Sequence, residues 1–275
     1  MNRRHERGRK DKERRGSKIK RRGGPPPALR EGGAVRVPRF GVVRWISKRG
    51  AMSRVEALRA VERGRVSVNG RTVHDPEFPC VEGRDKICID GREVKPARKV
   101  YLMMHKPFGC ITTARDPEGR PTAYEYLPPG LGNVHAVGRL DATTTGLLLF
   151  TNDTDFGARV TQSGGMLKVY RVRLEGALDP HDGNRFAFGI MLDGEMTLPA
   201  QCKVIEEGDG YTVVEVGIRE GRNRQIRRMW EALGYRILEL HRLRIGYVEL
   251  GDLPVGKTRP LADFEIEMLA DGRSP

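Results

Sequence analysis

Apolar and polar positions predict strands with intervening helices from Lys99 onward. Residues 147–150 are four consecutive apolar residues that lie between Gly146 and the polar Thr151. A run of this length predicts a strand that is covered on both faces. Further strands are predicted at residues 100–104, 170–174 and 211–218. Two helices are predicted, one capped by Asn152 or Asp153 and one that begins at Pro180.

Residues 39–97 have the pattern of a small separate module. An apolar stripe predicts a first helix that ends near Gly50. A second helix is predicted to begin at Ser53, because Ser53 and Glu56 have the spacing of a capping box. Gly64 is a suitable end for this helix. Its apolar positions at helical spacing are Val55, Leu58 and Val61.

The Asn69-Gly70 pair predicts a hairpin in this module, because it separates the short alternating segments 66–68 and 71–73. The arginines expected at exposed positions of the module are Arg54, Arg59, Arg63, Arg65 and Arg71. Exposed cations on two helices and a hairpin favour contact with a polyanion. A basic surface without such a role is the alternative.

Residues 223–233 predict an amphipathic helix that Gly234 ends. The apolar positions at the spacing of one helical face are Ile226, Met229, Trp230 and Leu233. The basic residues that point the other way are Arg224, Arg227 and Arg228. Their density indicates a binding face, and a solvated basic face is the alternative.

The net charge of +14 and the pI near 10.0 indicate a protein that binds a polyanion. The charge is concentrated in residues 1–38, which hold 14 Lys or Arg and 4 Asp or Glu. This segment has too few large apolar side chains to offset its ordering entropy, so we predict a disordered arm. This arm would either bind along the phosphates of a nucleic acid or act as a solubilising tail.

The four cysteines and six histidines show no spacing typical of a metal site, so no metal or other cofactor is expected. Scattered cysteines without a C-x-x-C pair favour a reducing, cytoplasmic location. No apolar run approaches the ~18 residues of a membrane span, so no membrane contact is expected. The basic N-terminus lacks the apolar core of a signal peptide.

Residues 251–258 satisfy the P-loop pattern G-x-x-x-x-G-K-T, but we reject a nucleotide triphosphatase. A proline follows at position 260, and 17 residues remain after Thr258. This is too short for a strand, helix and strand unit with a magnesium-binding residue. Lys257 is therefore predicted to be a turn residue before a last pair of strands.

Asp141 lies in a turn-like segment just before the buried strand, two residues after Arg139. A carboxylate tethered to a rigid strand but outside it is a common position for a catalytic group. The alternative is that Asp141 only caps a turn, since Asp is an ordinary turn residue.

The Gly-Arg-Leu-Asp run at residues 138–141 resembles the signature of pseudouridine synthases of the RsuA/RluB/RluE/RluF family. Three further blocks resemble the family in its order, at residues 168–170, 220–229 and 240–246. The helices and hairpin of residues 39–97 resemble an S4-like RNA-binding domain. The resemblance spans roughly residues 39 to 262.

This resemblance implies an α+β protein of two domains after the basic arm of residues 1–38. Residues 39–97 would form the small S4-like α/β RNA-binding domain. Residues 98–275 would form the pseudouridine-synthase catalytic domain, built on a mixed, mainly antiparallel sheet.

The resemblance also implies the active-site roles. Asp141 would be the catalytic residue and Arg227 the basic residue that pairs with it. Tyr170 would stack on an extruded uracil, with its hydroxyl near the C5 proton. Arg139 would occupy the space that a flipped base leaves, since chemistry on a base in structured RNA needs such extrusion. Further RNA-binding positions would be Lys168, Arg222, Arg224 and Arg228.

The reaction implied is the isomerisation of uridine to pseudouridine in RNA, which needs no cofactor. Asp141 would either attack the sugar or base covalently or abstract a sugar proton. The expected partner of this monomer is ribosomal RNA or a ribosome-assembly intermediate. The Asn223-Arg224 pair resembles the RluB side of the family and favours large-subunit RNA.

Three alternatives remain open: small-subunit ribosomal RNA, tRNA, or a non-catalytic RNA-binding assembly factor. A non-catalytic factor that descends from an enzyme would be expected to lose Asp141, Tyr170 or Arg227. All three are present. One departure from the family is that residues 162–167 lack the proline and the basic or His residue that relatives often carry.

Overall fold

The structure is a computed structural model that describes residues 39–272. The predicted basic arm lies outside the described residues. The helices are α1 Val42–Lys48, α2 Arg54–Glu62, α3 Thr154–Thr161, α4 Pro180–Arg185, α5 Gln225–Ala232 and α6 Asp263–Ala270.

The strands fall into two groups along the chain. Those of residues 39–97 are β1 Arg39–Gly41, β2 Val66–Val68, β3 Arg71–Thr72, β4 Pro79–Val81, β5 Ile87–Ile89 and β6 Arg92–Glu93. Those that follow are β7 Tyr101–Lys106, β8 His135–Val137, β9 Thr145–Thr151, β10 Lys168–Glu175, β11 Met191–Leu192, β12 Glu195–Met196, β13 Gln201–Gly208, β14 Tyr211–Ile218, β15 Ile237–Ile245, β16 Val248–Glu249 and β17 Thr258–Pro260.

The N-terminal module has its own hydrophobic core, in which α1 and α2 pack on the sheet β3-β2-β5-β6. The predicted capping box is confirmed, because Ser53 accepts from the Glu56 N–H and Glu56 accepts from the Ser53 N–H. The predicted hairpin is confirmed as β2 and β3. Asn69 and Gly70 both have positive φ, at 51° and 82°, as this tight turn requires.

The buried face of α2 differs from the prediction. Val61 is buried as predicted and Leu58 packs against the core, but Val55 is 59% exposed, and Ala57 and Ala60 supply the rest of the buried face. Small residues on this face let α2 lie close to its neighbours. The prediction for Val55 was wrong because helical spacing alone does not identify which of two adjacent stripes faces the core.

A large sheet organises the rest of the chain, with strand order β13-β14-β10-β15-β9-β7-β17. Strand β8 pairs with β9, and β16 pairs with β15. Within the described residues, the only parallel neighbours in this sheet are β9 and β15. The predicted mixed, mainly antiparallel sheet is therefore confirmed.

Strand β9 is covered on both faces, as its apolar run predicted. Leu148 and Phe150 belong to the core that includes Trp230 of α5, whereas Leu147 and Leu149 belong to the core that includes Phe156 of α3. Residues 147–150 are almost completely buried. This strand is a rigid support for the loop that precedes it.

The P-loop-like segment does not form a phosphate-binding loop. Residues 251–257 are turns and irregular chain, and β17 pairs with β7 directly afterwards. The prediction that a pair of strands follows Lys257 was wrong, because the single strand β17 is followed by the helix α6. None of the helices in the described residues is long and apolar enough to cross a membrane.

Candidate active site

The loop between β8 and β9 carries Asp141, and neighbouring groups hold its main chain. The Thr112 hydroxyl donates to the Leu140 carbonyl oxygen at 2.8 Å and accepts from the Leu140 N–H at 3.1 Å. The Gly109 N–H donates to the Ala142 carbonyl oxygen at 2.8 Å. These bonds fix the backbone on both sides of Asp141.

A buried lysine also holds this loop through hydrogen bonds. Lys106, at the end of β7, is fully buried, and its Nζ donates to the carbonyl oxygens of Pro107 and Thr144 at 3.0 and 2.9 Å. Burial lowers the pKa of Lys106, and the nearby negative charge of Asp141 opposes this effect. No local sequence pattern indicates that Lys106 contacts a loop 38 residues later in the chain.

Arg224 makes the ion pair with Asp141, at 3.7 Å between Nη1 and Oδ2. The side chains are 50% and 34% exposed, respectively, so the pair lies at the mouth of a cleft. Arg224 precedes α5 in the left-handed conformation, with φ 48° and ψ 33°. A left-handed arginine is strained by about 1 kcal/mol, and such strain is concentrated at functional sites.

Arg227 reaches the loop in a different way from that predicted. Its Nη2 donates to the Thr143 carbonyl oxygen at 2.9 Å, and its Nε is buried without a partner. The ion pair with Asp141 in this structure is made by Arg224, so the pairing of Arg227 with Asp141 stays a prediction. Burial lowers the pKa of the Arg227 guanidinium, the Arg224 charge adds to this, and the Asp141 charge opposes it.

Tyr170 lies in the wall of the cleft and is 7% exposed. It belongs to β10, which pairs with β14 on one side and β15 on the other. Arg242 of β15 lies opposite it, and its Nη1 donates to the Tyr170 hydroxyl at 3.4 Å. The central position of β10 fixes this tyrosine more firmly than a loop would.

The cleft itself has a volume of about 80 Å³ and is lined by Asp141, Tyr170 and Arg224, among others. It adjoins a wider groove of about 440 Å³, which shares Arg139, Asp141 and Arg224 with it. Arg139 is exposed at this junction. The predicted catalytic residues Asp141, Tyr170 and Arg227 therefore lie around one cleft, with Arg139 at its mouth.

Lys168 is buried at the start of β10. It is 8% exposed, and its Nζ donates to the Met166 carbonyl oxygen at 3.4 Å. Burial, with a smaller effect of the Arg242 charge, lowers the pKa of Lys168 to about 8. Burial leaves little of this side chain for contact with RNA, and the RNA-binding role of Lys168 stays a prediction.

Arg222 and Arg228 are engaged within the protein. Arg222 donates to the Met196 carbonyl oxygen at 2.7 Å and to Glu220 at 3.3 Å, although it also lines the cleft. Arg228 forms an ion pair with Asp193 at 2.5 Å. Both side chains therefore attach the segment around α5 to the hairpin of β11 and β12.

The five arginines predicted for RNA binding in the N-terminal module are all exposed. Arg65 is paired with Asp90, which offsets its charge. Within the described residues, no ion pair is formed by the other four, namely Arg54, Arg59, Arg63 and Arg71. In residues 39–272, no three His, Cys, Asp or Glu side chains are arranged to hold a metal ion.

Comparison with known families gives two matches along the chain. The model of the RNA pseudouridylate synthase family matches residues 100–232, and that of the S4 domain matches residues 42–85. The first match covers the strands of the large sheet from β7 to β14, and the second covers most of the N-terminal module. The chain belongs to the family of RNA pseudouridylate synthases and is a pseudouridine synthase with an S4 domain.

Relatives of known name match most of the chain. It is 32% identical to the ribosomal large subunit pseudouridine synthase B of Bacillus subtilis (strain 168), over 82% of this chain and 93% of that protein. It is 35% identical to the ribosomal small subunit pseudouridine synthase A of Escherichia coli (strain K12), over 81% of this chain and 96% of that protein. A crystal structure of a pseudouridylate synthase superimposes with a TM-score of 0.62 at 32% identity, covering 84% of this chain and 99% of that one.

Proposed function

We propose that this protein isomerises uridine to pseudouridine at a specific position of ribosomal RNA, and that the large-subunit RNA is its target. The main structural support is the position of Asp141. It lies on a fixed loop, pairs with Arg224 and faces the cleft that Tyr170 lines. Relatives named for either ribosomal subunit support ribosomal RNA as the substrate class. The Asn223-Arg224 pair favours the large subunit, and ribosomal RNA agrees with a cytoplasmic location.

In the proposed reaction, the bond between C1′ of the ribose and N1 of uracil breaks, and a bond between C1′ and C5 forms. The C5 proton leaves and N1 gains a proton, so no oxidant or reductant is needed. Asp141 attacks covalently or abstracts a sugar proton. Arg224 orients its carboxylate, and Arg227 holds the loop through Thr143.

The other site residues bind and expose the base. Tyr170 stacks on the extruded uracil and places its hydroxyl near the C5 proton. Arg139 occupies the space that the flipped base leaves, which offsets part of the few kcal/mol that extrusion costs. The neighbouring groove of 440 Å³ receives the nucleotides beside the target.

We also propose the division of the chain that underlies this function. Residues 39–97 bind RNA through exposed arginines, residues 98–275 carry the reaction, and residues 1–38 add a basic arm. The protein acts as a monomer on ribosomal RNA or on an assembly intermediate. It uses no cofactor or metal.

The test is a map of pseudouridines in ribosomal RNA from cells with and without the gene, by carbodiimide modification and primer extension. We expect one stop in large-subunit RNA to vanish on deletion and to return with the wild-type protein but not with Asp141→Asn. Loss of a primer-extension stop from small-subunit RNA instead would show that small-subunit RNA is the target. An unchanged ribosomal map would contradict the proposal, and tRNA would then be mapped in the same strains.

A further inference from the structure

Arg242 is a buried arginine that the reaction described above does not use. It is 3% exposed and lies on β15, next to the parallel strand β9. Its Nε donates to the Leu147 carbonyl oxygen of β9 at 2.6 Å, and its Nη1 donates to the Tyr170 hydroxyl of β10 at 3.4 Å. One guanidinium therefore connects the strand after Asp141 to the strand that carries Tyr170.

The backbone of Arg242 is fixed as firmly as its side chain. It lies opposite Gly146, and a Cβ at Gly146 would lie 2.3 Å from the Arg242 carbonyl oxygen. Gly146 has φ 104°, a conformation that favours glycine. Strands β9 and β15 therefore approach closely at this position, five residues after Asp141.

A bulge places Arg242 opposite Tyr170. Val169 pairs with Arg244 and Tyr170 pairs with Arg242, so Leu243 is an extra residue on β15. Bulges often redirect side chains next to active sites. Without this extra residue, Leu243 rather than Arg242 would lie opposite Tyr170.

Burying this arginine carries a cost that its role has to offset. Its charge lies close enough to Lys106 and Lys168 to lower the pKa of both, and its Nη2 is buried without a hydrogen-bond partner. A buried unsatisfied donor costs about 1 to 3 kcal/mol. An apolar side chain would avoid these costs, so packing alone does not account for an arginine here.

We propose that Arg242 is a positioning residue, which holds the Tyr170 hydroxyl at a fixed place relative to Asp141. Because the guanidinium donates to the phenol oxygen, the phenol's own proton is directed away from Arg242. The inference rests on the proposed roles of Asp141 and Tyr170. Errors of about 1 Å in such geometry can slow an enzyme by about 100-fold.

The test is a double-mutant cycle with Arg242→Gln and Tyr170→Phe in the full chain. The substrate is the RNA fragment around the mapped uridine, and the readout is single-turnover release of tritium from C5. Affinity for RNA and the melting temperature are measured on the same proteins. Arg244→Gln, on the same strand beyond the bulge, is the matched control, and Arg242→Lys is the conservative variant.

We expect Arg242→Gln to lower the single-turnover rate by about 10- to 100-fold, with RNA affinity within about 2-fold of wild type. In the Tyr170→Phe background, which lacks the hydroxyl, the same change should lower the rate by less than about 3-fold. Arg242→Lys should recover part of the rate, and Arg244→Gln should retain nearly all of it.

Two results would overturn the inference. One is a normal rate for Arg242→Gln, and the other is a double variant whose loss of rate equals the product of the two single losses. If Arg242→Gln does not fold, Arg242→Lys replaces it in the cycle, with a smaller loss of rate expected beside Tyr170 and none in the Tyr170→Phe background. A different result would contradict the proposed function itself, namely a near wild-type rate in Asp141→Asn.

Discussion

Arg224 and Asp141 form an ion pair across the mouth of the cleft, and the backbone of Arg224 is left-handed at the position where it does so. The strained conformation places the guanidinium before the first turn of α5 and toward the carboxylate. The next arginine of the helix segment, Arg227, is thereby free to bind the Thr143 carbonyl oxygen. Two arginines thus divide the tasks of orienting the carboxylate and holding its loop.

Replacing Arg224 by glycine should separate activity from stability. Glycine adopts the left-handed conformation without strain, and an ion pair this exposed contributes little, so the free energy of unfolding should change by less than about 1 kcal/mol. The isomerisation rate should fall by about 10-fold, because the carboxylate loses its orienting partner. Urea unfolding and single-turnover assays measure the two quantities.

The control for Arg224→Gly is Arg236→Gly, which removes another exposed ion pair, that with Glu175. It should leave the isomerisation rate unchanged. An Arg224→Gly protein with full activity would show that the ion pair has no part in catalysis.

Asp141→Asn should abolish isomerisation, by more than about 1,000-fold, because an amide can neither attack nor accept a proton as a carboxylate does. Affinity for RNA should be nearly retained, since the amide keeps the size of the side chain and removes a negative charge. Tritium release and filter binding test this on one RNA fragment. Loss of affinity in parallel with loss of activity would indicate a folding defect, which circular dichroism would detect.

Lys168→Met should stabilise the protein at neutral pH. The pKa of Lys168 is lowered from its ordinary value of 10.5 to about 8. Between these two values the unfolded chain binds a proton that the folded protein does not, so this lysine makes stability rise with pH from about 8 to 10.5. Below pH 8 its buried charge costs up to about 3 kcal/mol.

The expected result is that Lys168→Met is more stable than wild type at pH 7 and that the difference shrinks at pH 10. Urea unfolding at the two pH values measures it, and the exposed Lys203→Met is the control. RNA affinity should be unaffected. A clear loss of affinity would support the predicted RNA-binding role of Lys168.

The exposed arginines of the S4 domain should contribute to affinity through phosphates. Arg54→Gln with Arg59→Gln should weaken RNA binding and reduce the slope of log affinity against log salt by roughly 1 to 2. Arg84→Gln, an exposed arginine of the same domain outside the predicted set, is the control. An unchanged slope in the double variant would exclude these two residues from phosphate contact.

The sequence by itself determined the local elements and the family of this protein. The apolar run of residues 147–150, the Ser53 and Glu56 capping box and the Asn69-Gly70 turn each specify a structure over a few neighbouring residues. The reason is that their hydrogen bonds and burial depend on residues close in the chain. The same holds for the catalytic motif around Asp141, whose residues are contiguous.

Only the tertiary structure decided which side chains meet in the cleft. Arg224 rather than Arg227 pairs with Asp141, Lys168 is buried, and Arg242 contacts Tyr170 from 72 residues away. A left-handed residue, a central strand and a bulge set these outcomes. Each depends on how distant strands and loops pair, because a shift of one position in register or one change of φ reverses the direction in which a side chain points.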